Sequence, residues 1–248
     1  MLSLVFACAS ASGAPSFTER LARHDLDVHD FQSTGRGLRT LRSRARGEVL
    51  LAVPDADVVL AERVLEGDDG LRAAAEHAAQ SGRHLTEDSL LACFIANART
   101  NHPASSMLPA VQPSVVSMEA EAALLPRCYA SAAEESRAHA ISQHATCTEA
   151  LRAVGAGEPP LDAFLRAWAH VRARSVQFRE GQDFGLAPRS ELLSAERGLR
   201  KALLPYFDMI NHQSGAGTKL VREGGAWQLV AEGGYGAGEQ VFVSYGAL

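Results

Sequence analysis

"LLPYFDMINHQSG", residues 203–215, decides the fold. An apolar run halts at Pro205, and behind it come Asp208, the adjacent pair Asn211 and His212, and a turn at Gly215. Three readings of these polar residues are open. Asn and His can cap a turn after a strand. With Asp208 they can resemble a metal set, but no H-x-x-x-H partner and no second acid stand at ligand spacing, so no metal is expected. Or their side chains and amides hold a polar ligand. A second stretch bears on the choice: "GAGEQVFVSYG", residues 236–246. Gly236 to Gly238 make a turn. Val241, Val243 and Tyr245 then alternate with Gln240, Phe242 and Ser244, the period of a strand. Tyr245 closes it.

Working outward, residues 17–33 read as a short amphipathic helix and a connector. Gly35-Arg36-Gly37 lacks the third glycine and following helix of a dinucleotide fingerprint; it reads as a plain turn or as a place of close backbone approach. Leu38–Leu41 and Glu48–Val53 read as two strands of a hairpin around the arginine-rich turn "RSRARG". Arg39, Arg42, Arg44 and Arg46 are expected on a solvated face rather than at a phosphate. Thr86 is a candidate N-cap ahead of Glu87 and Asp88. Leu90, Leu91, Phe94, Ile95 and Ala98 follow at helical spacing. Residues 119–153 read as mostly helical. Leu161, Phe164, Leu165, Trp168 and Val171 line one face of a further helix. "TKLVRE" and "WQLVAE" flank Gly224-Gly225 as a hairpin.

Composition narrows the classes. The 248 residues are 46% hydrophobic and carry a net charge of −5. Only Lys201 and Lys219 are lysine, which argues against a nucleic-acid surface. No run reaches the ~18 apolar residues of a membrane span. Cys8, Cys93, Cys128 and Cys147 form no C-x-x-C pair; Cys93 reads as a small buried hydrophobe, and a reducing compartment is the default. Residues 1–16, "MLSLVFACASASGAPS", are a disordered or targeting tail. Their apolar stretch lacks a basic n-region, so a secretory signal is disfavoured. The compartment stays open between cytoplasm, nucleus and plastid.

Together "GRGLRT", a helical insertion, "VRARS", "LLPYFDMINH" and "GEQVFVSYG" stand in the order found in SET-domain methyltransferases, and the chain resembles the Rubisco large-subunit methyltransferase-like branch. The resemblance covers residues 17–248. It implies an α+β SET fold of short hairpins and small sheets closed by a C-terminal pseudoknot. The implied parts are an N-terminal SET part at 17–84, a helical insertion (iSET) at 85–170 and a C-terminal SET part at 171–248. Members of that branch run on into a helical substrate-binding lobe. The 248 residues do not contain that lobe, and whether the reading frame continues into one is left open.

Function follows by resemblance too. S-adenosylmethionine is the implied cofactor and a lysine-bearing protein the implied partner, with a monomeric enzyme and neither nucleic acid nor membrane involved. Thr34, Arg36 and Gly37 would line the methionine end of the cofactor. Arg174 would pair with its carboxylate, and Asn211 and His212 would hold it near the adenine. Asp208 would face the acceptor channel or steady its loop, and Tyr245 would be the catalytic tyrosine. Ser175 and Val176 replace the Gln-Asn that follows the arginine in an actin-histidine methylating relative, so lysine is favoured over histidine. A non-catalytic SET-like binding module is the alternative. A nicotinamide oxidoreductase would rest on Gly35 and Gly37 alone.

Overall fold

The computed structural model describes residues 17–97, 127–179, 193–194 and 199–244. In chain order the first elements are α1 (Phe17–Ala22), β1 (Leu26–Phe31), β2 (Gly35–Thr40) and β3 (Val49–Pro54). Then come β4 (Val59–Leu60), α2 (Ala61–Gly67), α3 (Asp69–Gln80), β5 (Leu85–Thr86), α4 (Glu87–Ala96), α5 (Arg127–Ala153) and α6 (Leu161–Arg174). The remainder is β6 (Val176–Arg179), β7 (Leu193–Ser194), β8 (Leu199–Leu203), β9 (Asn211–His212), β10 (Thr218–Glu223), β11 (Ala226–Ala231) and β12 (Gln240–Val243). The chain divides into two compact units, residues 1–56 with 206–248 and residues 57–205.

The first unit is built from two small sheets. One has the order β1-β2-β12-β9. β1 and β2 pair antiparallel from Leu26↔Thr40 to Phe31↔Gly35. β12 adds to β2 antiparallel through Gln240↔Arg39 and Val241↔Leu38, and to β9 in parallel through Phe242↔Asn211 and Val243↔His212. A strand from the end of the sequence thus fills the gap between two earlier ones. The other sheet has the order β10-β11-β3. Its hairpin turns at Gly224 and Gly225, both at positive φ (60° and 75°), as a two-residue primed turn demands. Thr218 Oγ1 donates to the carbonyl of Phe242 at 2.7 Å and ties β10 to β12. Leu38, Leu51, Val53, Trp227, Leu229 and Val241 form the buried apolar filling of this unit.

Here the fold departs from the sequence reading. β2 and β3 are not partners of one hairpin; they belong to different sheets. Between them Arg44 exchanges backbone hydrogen bonds with Tyr235 (2.8 and 2.9 Å), which turns the chain out of one sheet and into the other. Nor do the arginines all lie on a solvated face. Arg39 binds Asp27 with two bonds of 2.7 and 2.9 Å. Arg42 joins Asp25 (2.8 Å) to Glu48 (3.1 Å). The Arg44 side chain is 5% exposed and donates to the carbonyl of His24. They act as clasps between segments of the chain. The connector expected before residue 33 is strand β1, in whose "LDVHDF" Leu26 is buried and the following positions alternate half-buried and exposed. Gly35 and Gly37 open β2 rather than form the turn, which lies at residues 32–34.

The second unit holds the helices. They begin at Ala61, ahead of the 85–170 segment read as the insertion. β4, β8 and β6 make a three-stranded antiparallel sheet, and β5 pairs in parallel with β7. Thr86 caps α4 as its sequence suggests. Its hydroxyl accepts from Ser89 N–H at 3.1 Å, and Ser89 Oγ accepts from Thr86 N–H at 2.9 Å. Residues Glu87 to Phe94 are all buried, so α4 is a central helix covered on every side. Phe164, Leu165, Trp168 and Val171 of α6 are buried as their spacing predicts, whereas Leu161, at the helix start, is 41% exposed. Buried charges come as pairs. Glu62 and Arg200, 7% and 5% exposed, meet at 2.7 Å. Asp88 is held by Lys201 and by Arg172. Among the described residues no helix is long and apolar enough to cross a membrane.

Candidate active site

The site lies in the first unit, where β12 separates β2 from β9. Gly37 is buried, and its lack of a side chain is used. A Cβ there would stand 2.6 Å from Gln240 Nε2 and 2.8 Å from Asn211 Nδ2. Both amides are tethered. Asn211 Nδ2 donates to the carbonyl of Arg36 (3.1 Å) and, more weakly, to that of Thr34 (3.4 Å). Gln240 Oε1 accepts from Thr34 Oγ1 at 2.8 Å. Thr34, Arg36, Gly37 and Asn211 are therefore neighbours, although Asn211 follows Thr34 by 177 positions. Gly35 has φ of 68°, a left-handed geometry that suits glycine and lets the chain swing from the turn into β2.

Gln240 was not legible as part of this cluster. It is 8% exposed, and its Nε2 is buried with no hydrogen-bond partner. A buried amide donor left open costs about 1–3 kcal/mol, so it marks a place where a further acceptor belongs. The signal was present in the strand alternation, which sets Gln240 opposite Val241. A glutamine in that pattern ordinarily reads as facing water.

Asn211 and His212 are half-buried. Their backbone is held by the parallel pairing with Phe242 and Val243, and Gln213 N–H donates to the carbonyl of Val243 at 3.2 Å. Ahead of them Phe207–Met209 make one 3-10 turn that carries a half-buried Asp208 between two buried apolar neighbours. Tyr206, which opens that turn, is 4% exposed and has φ of 74°. A tyrosine in the left-handed region costs of order 1–3 kcal/mol, and such strain gathers at functional sites. Tyr245 lies outside the described residues, two positions past the end of β12. Arg174 is in the second unit, the last residue of α6, with its side chain exposed. No group of three or more His, Cys, Asp or Glu able to hold a metal ion occurs among the described residues.

No family-wide model of known protein families matches the chain. SET domain-containing protein 4 of Homo sapiens is 26% identical over 243 residues, covering 87% of this chain and 50% of that protein. Among solved structures, Rubisco LSMT bound to AdoMet superposes with a TM-score of 0.62 at 16% identity, over 94% of this chain and 53% of that one. The SET domain of LSMT bound to lysine and AdoHcy gives 0.63, also at 16% identity, over 91% of this chain and 50% of that one. The chain has the fold of the LSMT SET domain. The chain spans about half the length of the relatives it matches. In this SET fold the late strand β12 lies between β2, which begins at Gly35, and the Asn-His pair, to which Phe242 and Val243 are tied by backbone pairing.

Gly37→Ala tests the cradle. The added methyl must push aside two tethered amides in a packed strand, so a loss of about 1–3 kcal/mol in unfolding free energy is expected. Gly35→Ala meets no atom within 4 Å but is strained by its positive φ, and about 1 kcal/mol is expected there. Urea unfolding of both variants checks the order; equal losses would mean that the close approach at Gly37 carries no energy.

Proposed function

We propose that this chain is the SET part of an S-adenosylmethionine-dependent protein-lysine N-methyltransferase. The observation that carries the reading is the juxtaposition at β12: Gly37 without a side chain, Asn211 and Thr34 around it, and an open donor on Gln240. The residues fit the cofactor. Thr34, Gly35 and Arg36 are exposed beside the half-buried Asn211, so a polar rim borders a buried floor. The neighbours in fold are bound to AdoMet, AdoHcy or sinefungin, and some also to lysine or methyllysine.

S-adenosylmethionine supplies an electrophilic methyl group on a positive sulfonium. What the chain must add is alignment. Thr34, Arg36 and Gly37 line the methionine end, and Asn211 and His212 hold the nucleoside end, chiefly through backbone groups. The role of Arg174 toward the carboxylate rests on the resemblance alone, as does that of Asp208 at the acceptor side. The acceptor amine must lose its proton. At pH 7 a free lysine, with a pKa of ~10.4, is neutral only about once in a few thousand molecules, a cost of roughly 4–5 kcal/mol. An apolar channel lowers that cost by disfavouring the ammonium. Tyr245 aligns the amine through its hydroxyl and need not act as a strong base. Alignment and fixed dipoles supply most of the acceleration.

Tyr245→Phe is the test. With tritiated S-adenosylmethionine and cell-extract proteins, the variant is expected to transfer methyl groups at least about tenfold more slowly while binding the cofactor unchanged by calorimetry. Equal turnover would remove Tyr245 from the mechanism. A wild-type chain that binds no S-adenosylmethionine would instead support a binding module.

A further inference from the structure

The helical unit contains a pair of sulfurs that methyl transfer does not use. Cys93 on α4 and Cys147 on α5 are 54 positions apart, yet their Sγ atoms lie 2.7 Å from each other. Both side chains are 0% exposed, among Leu90, Leu91, Phe94 and Leu151. Two uncharged thiols gain little from such proximity, because sulfur is a weak donor and a weak acceptor. A pair set this close and kept dry is spaced for a bond.

We propose that Cys93 and Cys147 are a dithiol/disulfide couple that staples α4 to α5. The oxidant is a small-molecule disulfide such as oxidised glutathione. One cysteine thiolate attacks it and forms a mixed disulfide, releasing one glutathione thiolate. The second cysteine, as thiolate, then attacks the protein sulfur of that mixed disulfide and releases the second glutathione. Two protons leave the cysteines, two electrons pass to glutathione, and one S–S bond replaces two S–H bonds. Burial pushes the Cys93 thiol well above its usual pKa, so few thiolates exist in the closed structure. Formation and reduction of the staple therefore proceed through local opening of α4 from α5, and are slow relative to an exposed pair. This inference is independent of the methyl-transfer reading.

The reduced full chain would be equilibrated in oxidised glutathione with urea just below the unfolding transition. It would then be alkylated and digested without reductant. The expected product is a Cys93 peptide joined to a Cys147 peptide, two hydrogens lighter than the free pair and lost on reduction. Closing a loop of this length should raise the midpoint of thermal unfolding by roughly 5–15 °C. That rise should vanish in Cys93→Ser/Cys147→Ser. Recovery of both residues as alkylated thiols, as glutathione adducts, or joined instead to Cys8 or Cys128 would overturn the proposal. The peptide readout on the natural chain decides even where the double variant does not fold.

Discussion

Arg200→Met is expected to lower the unfolding free energy by roughly 3–5 kcal/mol. Arg200 and Glu62 are almost wholly buried and meet at 2.7 Å. Removing the guanidinium leaves a carboxylate in a place that water does not reach, and it must be either protonated or left uncompensated. Against a total stability of about 5–15 kcal/mol this is a large share. The thermal midpoint should fall by about 10 °C, taking ~2–4 °C per kcal/mol for a chain of this size. The double change Arg200→Met/Glu62→Leu should recover most of the loss, because two apolar groups need no partner. A double variant no better than the single one would show that packing around Arg200, rather than its charge, holds the site.

The second large effect is a loss of stability in acid that is traced to His170. Burial, with a smaller contribution from the nearby Arg174 cation, lowers its pKa to about 4. Its Nε2 is buried without a hydrogen-bond partner, so no acceptor awaits a proton there. The folded pKa lies below the unfolded value of about 6.5, so the unfolded chain takes up the proton first as pH falls. The contribution is complete above pH ~6.5, declines as pH drops toward 4, and is fully lost below that. At 1.36 kcal/mol per pKa unit it amounts to at most about 3 kcal/mol. His170→Gln should flatten the curve of stability against pH through this window while leaving the carboxylate-driven fall at lower pH. Parallel curves for the two proteins would assign the proton elsewhere.

What could be read from the sequence, and what could not, divides along physical lines. Local signals were sound: Thr86 caps its helix, Gly224-Gly225 turns its hairpin, and the apolar face of α6 is buried. The order of "GRGLRT", "DMINH" and "GEQVFVSYG" carried the fold, because each segment has a pattern that survives without its partners. Strand pairing between distant segments was another matter. β3 reads as the partner of β2 because it comes next, but its ladder is with β11. Arg44 reads as a surface charge, since nothing nearby in the chain reveals the His24 carbonyl it reaches. Gln240 looked like a solvent-facing residue in an alternating strand. Only its hydrogen bond with Thr34, made across 206 positions, and its close approach to Gly37 bring it into the site.

The central place of β12 bears on how the molecule is made. Synthesis runs from the first residue onward, so β2 and β9 leave the ribosome before the segment that must lie between them. Until then each presents unsatisfied N–H and C=O groups along an open edge, the kind of edge that invites pairing with another chain. Nascent polypeptides halted before residue 240 should therefore depend on chaperones and aggregate without them, and emergence of β12 should lessen that dependence.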